Sequence, residues 1–236
     1  MLSNDACARA QRLVPGLAIL LAALMGQPVQ AQSGDQSIMG VTAVNVSPAF
    51  VSKTMELLRG YRDAAARQPG AAEIVMLQEI HWPNRFIIYE SWSGQINYDD
   101  NEKSPQTTKL RDELRAIDGS IDRRNTQVIS IDTPRPAPPD SVYVHLHLDV
   151  FPPGLAATLE AGRAVAKAAR SQPDNFRYDV TQSVKPPVSH TTFLAVWSNL
   201  ESYNSYQNSK YARQFRETIG PLLGSPFDER IYARVN

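Results

Sequence analysis

Residues 142–150 read VYVHLHLDV, with Val142, Val144, Leu146, Leu148 and Val150 alternating against Tyr143, His145, His147 and Asp149. A period of two predicts a strand with one buried face. Pro152 and Pro153 then open GLAATLEAGRAVAKAARS. This stretch is predicted to be helical, since proline is tolerated in a first turn. FRYDVTQSV and TTFLAVW predict two further strands joined around KPPVSH. NLESYNSYQNSKYARQFRETIGPLL predicts a second helix, and DERIYARV a last strand. The order is strand, helix, strand, strand, helix, strand.

The first half follows the same order. VTAVNV, AFVSKTMELLRGYRDAAAR, AEIVMLQEI and RFIIYESW are followed by a helical stretch to residue 117 and by TQVISI. Pro105 is expected to break that second helix. The two halves repeat at an almost constant offset, which is the signature of internal duplication. Gln68 and Pro69 match Gln172 and Pro173 at 104, whereas Trp92/Trp197, Tyr98/Tyr203 and Arg111/Arg216 match at 105. TPRPAPPD, residues 133–140, reads as a stiff linker between them. The expected organisation is a leader at 1–31, a first domain at 32–132, the linker at 133–140 and a second domain at 141–236.

The leader is inferred from Arg9 and Arg12, the apolar run at residues 13–26 and the small residues Val29 and Ala31. A run of that length falls short of the roughly 20 residues of a membrane span and reads as a secretory signal peptide, with a retained membrane anchor as the alternative. Export to the periplasm or outside the cell is the corresponding expectation, with no membrane span after cleavage. Cys7, the only cysteine, would leave with the leader. The remaining chain would then have no thiol chemistry and no cysteine metal site. Lysine plus arginine and aspartate plus glutamate both number 24. Such a balance does not point to nucleic-acid binding, which calls for a basic face.

Strand, helix, strand, strand, helix, strand is the split βαβ, or ferredoxin-like, arrangement. Its sheet carries helices on one face only, and an uncovered apolar face must be buried. Two copies can bury theirs on each other. The expected fold is therefore α+β, with two ferredoxin-like βαββαβ repeats forming an intramolecular dimeric α+β barrel.

YESW, Tyr98 and KLRDEL in the first copy, and AVW, Tyr203 and QFRETI in the second, resemble the antibiotic-biosynthesis-monooxygenase-like (ABM) domains of the dimeric α+β barrel superfamily. Some members of that family oxygenate phenolic polyketides without metal or flavin, in a pocket between sheet and helices. The resemblance implies an oxygenase with no cofactor and no metal. It puts Trp92, Tyr98 and Arg111 in the catalytic set, and Trp197, Tyr203 and Arg216 at the equivalent ligand-binding positions. The family's asparagine is replaced by Ile88 and Phe193, which become candidate ligand-contacting positions. Haem-degrading relatives need a histidine in the second helix, and neither copy has one there.

Read as residues alone, Trp92 and Trp197 also suit core packing, and Arg111 and Arg216 suit exposed helix charges. Glu90 shares a face with Trp92, so it is expected to be buried, with a raised pKa or an ion-pair partner such as Arg111. In the second copy that place is taken by Ala195. His145 and His147 face away from the apolar side of their strand, and two histidines without a third ligand make a weak metal site. The expected partner is a small hydrophobic or aromatic molecule, with a homo-oligomer as a further expectation. Three functions compete: oxygenation of a phenol, binding without catalysis, and a structural or interaction role with closed pockets.

Overall fold

A computed structural model describes residues 37–235. The leader inferred from the sequence lies outside the described residues. The first repeat runs β1 (Ile38–Asn45), α1 (Val51–Ala65), β2 (Ala71–Glu79), β3 (Arg85–Trp92), α2 (Gln95–Glu102), α3 (Pro105–Ala116) and β4 (Ser120–Ser130). The second runs β5 (Val142–Asp149), α4 (Leu155–Arg170), β6 (Asn175–Ser183), β7 (His190–Trp197), α5 (Leu200–Gln207), α6 (Lys210–Ile219) and β8 (Asp228–Arg234). No described helix is long and apolar enough to cross a membrane.

The eight strands close into one barrel in the order β1-β3-β2-β8-β5-β7-β6-β4. Each repeat supplies four neighbouring strands, in the equivalent orders β4-β1-β3-β2 and β8-β5-β7-β6. The repeats join where β2 pairs antiparallel with β8, and β4 with β6. Closure leaves neither repeat with a free sheet edge, which removes the template for aggregation that an edge presents. The duplication persists in detail. A register shift interrupts β2–β3 between Ala71 and Glu73, and another interrupts β6–β7 between Asn175 and Arg177.

Alternation along the strands divides the interior in three. One face of β1 and β3 packs under the helices as Ile38, Val44, Phe86, Ile88 and Trp92. The second repeat does the same with Val144, Leu146, Phe193 and Trp197. The opposite faces meet inside the barrel through Met39, Val41, Tyr89, Tyr143, Leu194 and Tyr232. The two bare sheet faces thus bury each other, as the fold requires.

Three elements differ from their sequence expectation. Strand β1 begins at Ile38 and strand β4 at Ser120, both earlier than the apolar alternation suggests. The first half of β4, SIDRRN, is polar because it lines polar sites on both its faces. The second repeat's long helix is split into α5 and α6 without a proline. Ser209 caps α6 by accepting from the Ala212 amide, as Ser104 caps α3 by accepting from Thr107. A serine N-cap satisfies amides that a helix start leaves free, so the chain can restart there.

Candidate functional site

In the first repeat β3 turns Glu90 and Trp92 towards the helices, and both side chains are fully buried. Tyr61, brought up by α1, donates its hydroxyl to Glu90 Oε1. Arg123, on the polar half of β4, donates from Nη2 to Glu90 Oε2 at 2.9 Å. Asn101 of α2 donates to the Tyr61 hydroxyl at 2.8 Å. The Nε of Arg123 also meets Glu102 Oε1, and Arg111 reaches Glu102 Oε2 at 2.6 Å. A chain of alternating charge therefore runs Glu90–Arg123–Glu102–Arg111, buried at its Glu90–Arg123 end and partly exposed at Glu102 and Arg111. The partner of Glu90 is Arg123, not Arg111, because β4 starts early enough to bring Arg123 beneath the helices.

Burial pushes the Glu90 carboxyl above its ordinary range, and the nearby Arg123 guanidinium and Tyr61 hydroxyl hold it back. Burial, reinforced by Glu90, pushes Tyr61 up to about 12. Tyr98 also stays protonated, raised chiefly by burial. Its ring lies against β1 at Gly40, where a Cβ would sit 2.7 Å from Tyr98 and 2.8 Å from Glu90. Only glycine admits that approach. The Trp92 indole nitrogen is buried and makes no hydrogen bond. Beneath these helices the space is occupied by the protein's own polar side chains.

The second repeat builds the same position from different chemistry. Ala195 replaces Glu90. The strand register sets Glu229 opposite Leu146, as Arg123 is set opposite Thr42. Trp197 is packed against Tyr206, ring centroids 4.7 Å apart, and lies 6.4 Å from Tyr203. Tyr206 donates to the Val165 carbonyl at 2.9 Å. Gln207 donates to the Tyr203 hydroxyl and, at 3.3 Å, to Glu229. Tyr203, Tyr206, Phe215, Gln207, Arg216 and Glu229 surround a cavity of about 20 Å³. That holds roughly one water and is far below the roughly 300–1,000 Å³ of ligand pockets. Trp197, like Trp92, keeps a buried indole donor without a partner.

Arg111 and Arg216 share one further role. Each donates to the carbonyl nine residues earlier, Glu102 at 3.2 Å and Gln207 at 3.0 Å. These carbonyls end α2 and α5, so both arginines brace the break between paired helices. Ile88 and Phe193 are buried in the cores of their repeats. Of the residues singled out in the sequence, Trp92 and Tyr98 share one core, Tyr98 and Glu90 both approach Gly40, and Trp197 lies beside Tyr203. Sequence reasoning missed Tyr61, Arg123, Tyr206 and Glu229. Only Glu90, an acid on an apolar face, signalled that a partner was needed.

Two equivalent helix-side sites on a closed eight-stranded sheet define a dimeric α+β barrel fused within one chain. The antibiotic biosynthesis monooxygenase family model matches residues 141–218, from the start of β5 into α6. The second repeat thus carries that family's sequence signature, and the whole chain has the fold of two such domains joined in tandem. No curated protein matches the sequence. Among solved structures, a candidate monooxygenase from Fusobacterium nucleatum is similar at a TM-score of 0.73 and 11% identity, covering 86% of this chain and 94% of its own. A candidate monooxygenase from Lactobacillus acidophilus reaches 0.67 at 12% identity, covering 84% and 94%. An anthrone oxidase-like protein reaches 0.71 at 12% identity, covering 86% and 93%. At such identities these likenesses establish the fold.

Proposed function

We propose that the protein is an exported, cofactor-independent oxygenase of small phenolic or aromatic molecules, with its working site in the second repeat. The observation that carries this reading is the group around Trp197. In the repeat that matches the family model, aromatic rings, a guanidinium and a carboxylate surround one cavity. A substrate ring would enlarge the cavity that Tyr203 and Tyr206 line, with α5 and α6 moving outward to admit it. Arg216 suits a phenolate, since a guanidinium stays charged and offers a planar fork. Glu229 is the carboxylate in position to take a proton from the substrate. Burial keeps Tyr203 protonated, so its hydroxyl can donate to a substrate oxygen. With an anthrone, the benzylic CH₂ would become a carbonyl, one oxygen atom of O₂ entering the product and the other leaving as water. The substrate supplies the electrons. The first repeat, filled by Glu90, Arg123 and Tyr61, acts in this scheme as scaffold.

Oxygen-electrode assays with anthrone test this. The expected result is uptake that falls at least tenfold in Arg216→Ala and in Glu229→Gln and is unchanged in Arg111→Ala. No uptake by the wild type would reject the proposal. The small size of the cavity favours a second reading, a structural or interaction protein with closed pockets. A library of aromatic compounds that leaves the melting temperature unchanged would support it, because a ligand of the native state raises stability.

A further inference from the structure

A second cavity, of about 180 Å³, opens at one mouth of the barrel, on the side of the sheet away from the helices. Its polar walls come from a motif that both repeats share. Asp122 and Arg124 on β4 pair across to Ala43 and Val41 of β1. Asp228 and Arg230 on β8 pair across to His147 and His145 of β5. The two Asp-x-Arg pairs are therefore equivalent, and their arginines converge on one cavity. The histidines replace Val41 and Ala43 and occur in one repeat only.

Charge on this lining is balanced. Arg124 meets Asp122 at 2.6 Å and Arg230 meets Asp228 at 2.7 Å. The aspartates are the more exposed partners, with 55% and 44% of their side-chain surface accessible, against 30% and 36% for the arginines. Deeper in, His145 is buried and bonded to the Tyr89 hydroxyl. His147 lies against Arg124 and packs its ring 5.0 Å from His190. Val41, Ala43 and Ile87 supply an apolar wall.

We propose that the barrel mouth binds a small organic carboxylate, held between Arg124 and Arg230 with its hydrocarbon part on Val41, Ala43 and Ile87. A guanidinium fork matches the two oxygens of a carboxylate. The volume, below that of drug-sized sites, limits the ligand to a small acid. A bare inorganic anion would leave the apolar wall unused. A metal cation is disfavoured, because among the described residues no cluster of three His, Cys, Asp or Glu is arranged to hold one.

Binding couples to protonation. Burial and then Arg124 hold His147 at about 4, and burial holds His145 at about 3. The groups facing them are Arg124 and Asp122 from β4, Arg230, Asp228 and Tyr232 from β8, His190 from β7 and Tyr89 from β3. Adding a negative charge to this neutral lining favours the imidazolium, so the carboxylate enters with a proton taken up at His147.

Calorimetric titration of the full chain with benzoate tests the proposal, with benzyl alcohol and inorganic phosphate as comparisons. Benzoate is expected to bind at least threefold more tightly at pH 5.5 than at pH 7.5. It should bind at least tenfold more tightly than either comparison, and at least tenfold more weakly to Arg124→Gln/Arg230→Gln. Because that variant removes three ion pairs, those with Asp122, Asp228 and Glu79, the wild type supplies a second measurement. Benzoate should shift the His147 ring resonances towards those of imidazolium. Absence of benzoate binding, equal binding of benzyl alcohol or phosphate, or an undiminished variant would overturn the proposal. Unmoved histidine resonances on saturation would do so as well.

Discussion

Glu90 and Arg123 lie 33 positions apart in sequence and meet at 2.9 Å in a site closed to solvent. Removing either leaves a buried charge without its partner, which typically costs about 3–5 kcal/mol. Arg123→Met and Glu90→Leu are each expected to lower unfolding free energy by that order. The double variant should lose clearly less than the sum, as a double-mutant cycle in urea would measure. Additive losses would mean that the pair is not energetically coupled. Half of this pair was legible in the sequence, for alternation alone puts Glu90 on an apolar face. Arg123 was not, because SIDRRN has no apolar rhythm and its contacts with Glu90 and Tyr61 cross 33 and 62 positions. The tryptophan and tyrosine positions were legible only because the chain states them twice.

Strand β5 carries two imidazoles into the barrel, where the equivalent strand β1 carries Val41 and Ala43. Both are held neutral well below the ordinary histidine value of about 6.5. An unfolded chain then binds more protons than the native one as pH falls below about 6.5. Stability contributed by the neutral histidines is present above that pH and is lost on acidification towards about 4. The slope is at most about 1.4 kcal/mol per pH unit for each histidine. Glu90 and Asp179, both raised mainly by burial, act in the opposite sense, favouring the native state at low pH. The informative quantity is therefore a difference. His147→Gln is expected to show a shallower loss of unfolding free energy between pH 6.5 and 4 than the wild type, and an equal slope would contradict the assignment. At this scale the sequence announced β5 by strict alternation and the α2–α3 break by Pro105. The break between α5 and α6 was silent, since serine caps are common outside helix starts and only the fold reveals which one is used.

The two repeats complete one sheet, each closing the other's edges through β2–β8 and β4–β6. A single repeat would expose both edges and one apolar face, conditions that promote pairing with another chain. Residues 141–236 produced alone are expected to self-associate, with light scattering after gel filtration giving at least twice the monomer mass. A folded monomer would show that closure is dispensable. The strand order and the mutual burial of two sheets followed from the sequence, because a duplicated one-sided unit has few other solutions. Joining the copies end to end has one more effect. Two identical subunits around a rotation axis must repeat any substitution on both sides of it. A covalently linked pair is free of that obligation, so His145 can face Val41's side of the axis, and Glu229 can stand where its counterpart is a cation. Divergence across the axis is how one symmetric shell comes to hold three unlike interiors.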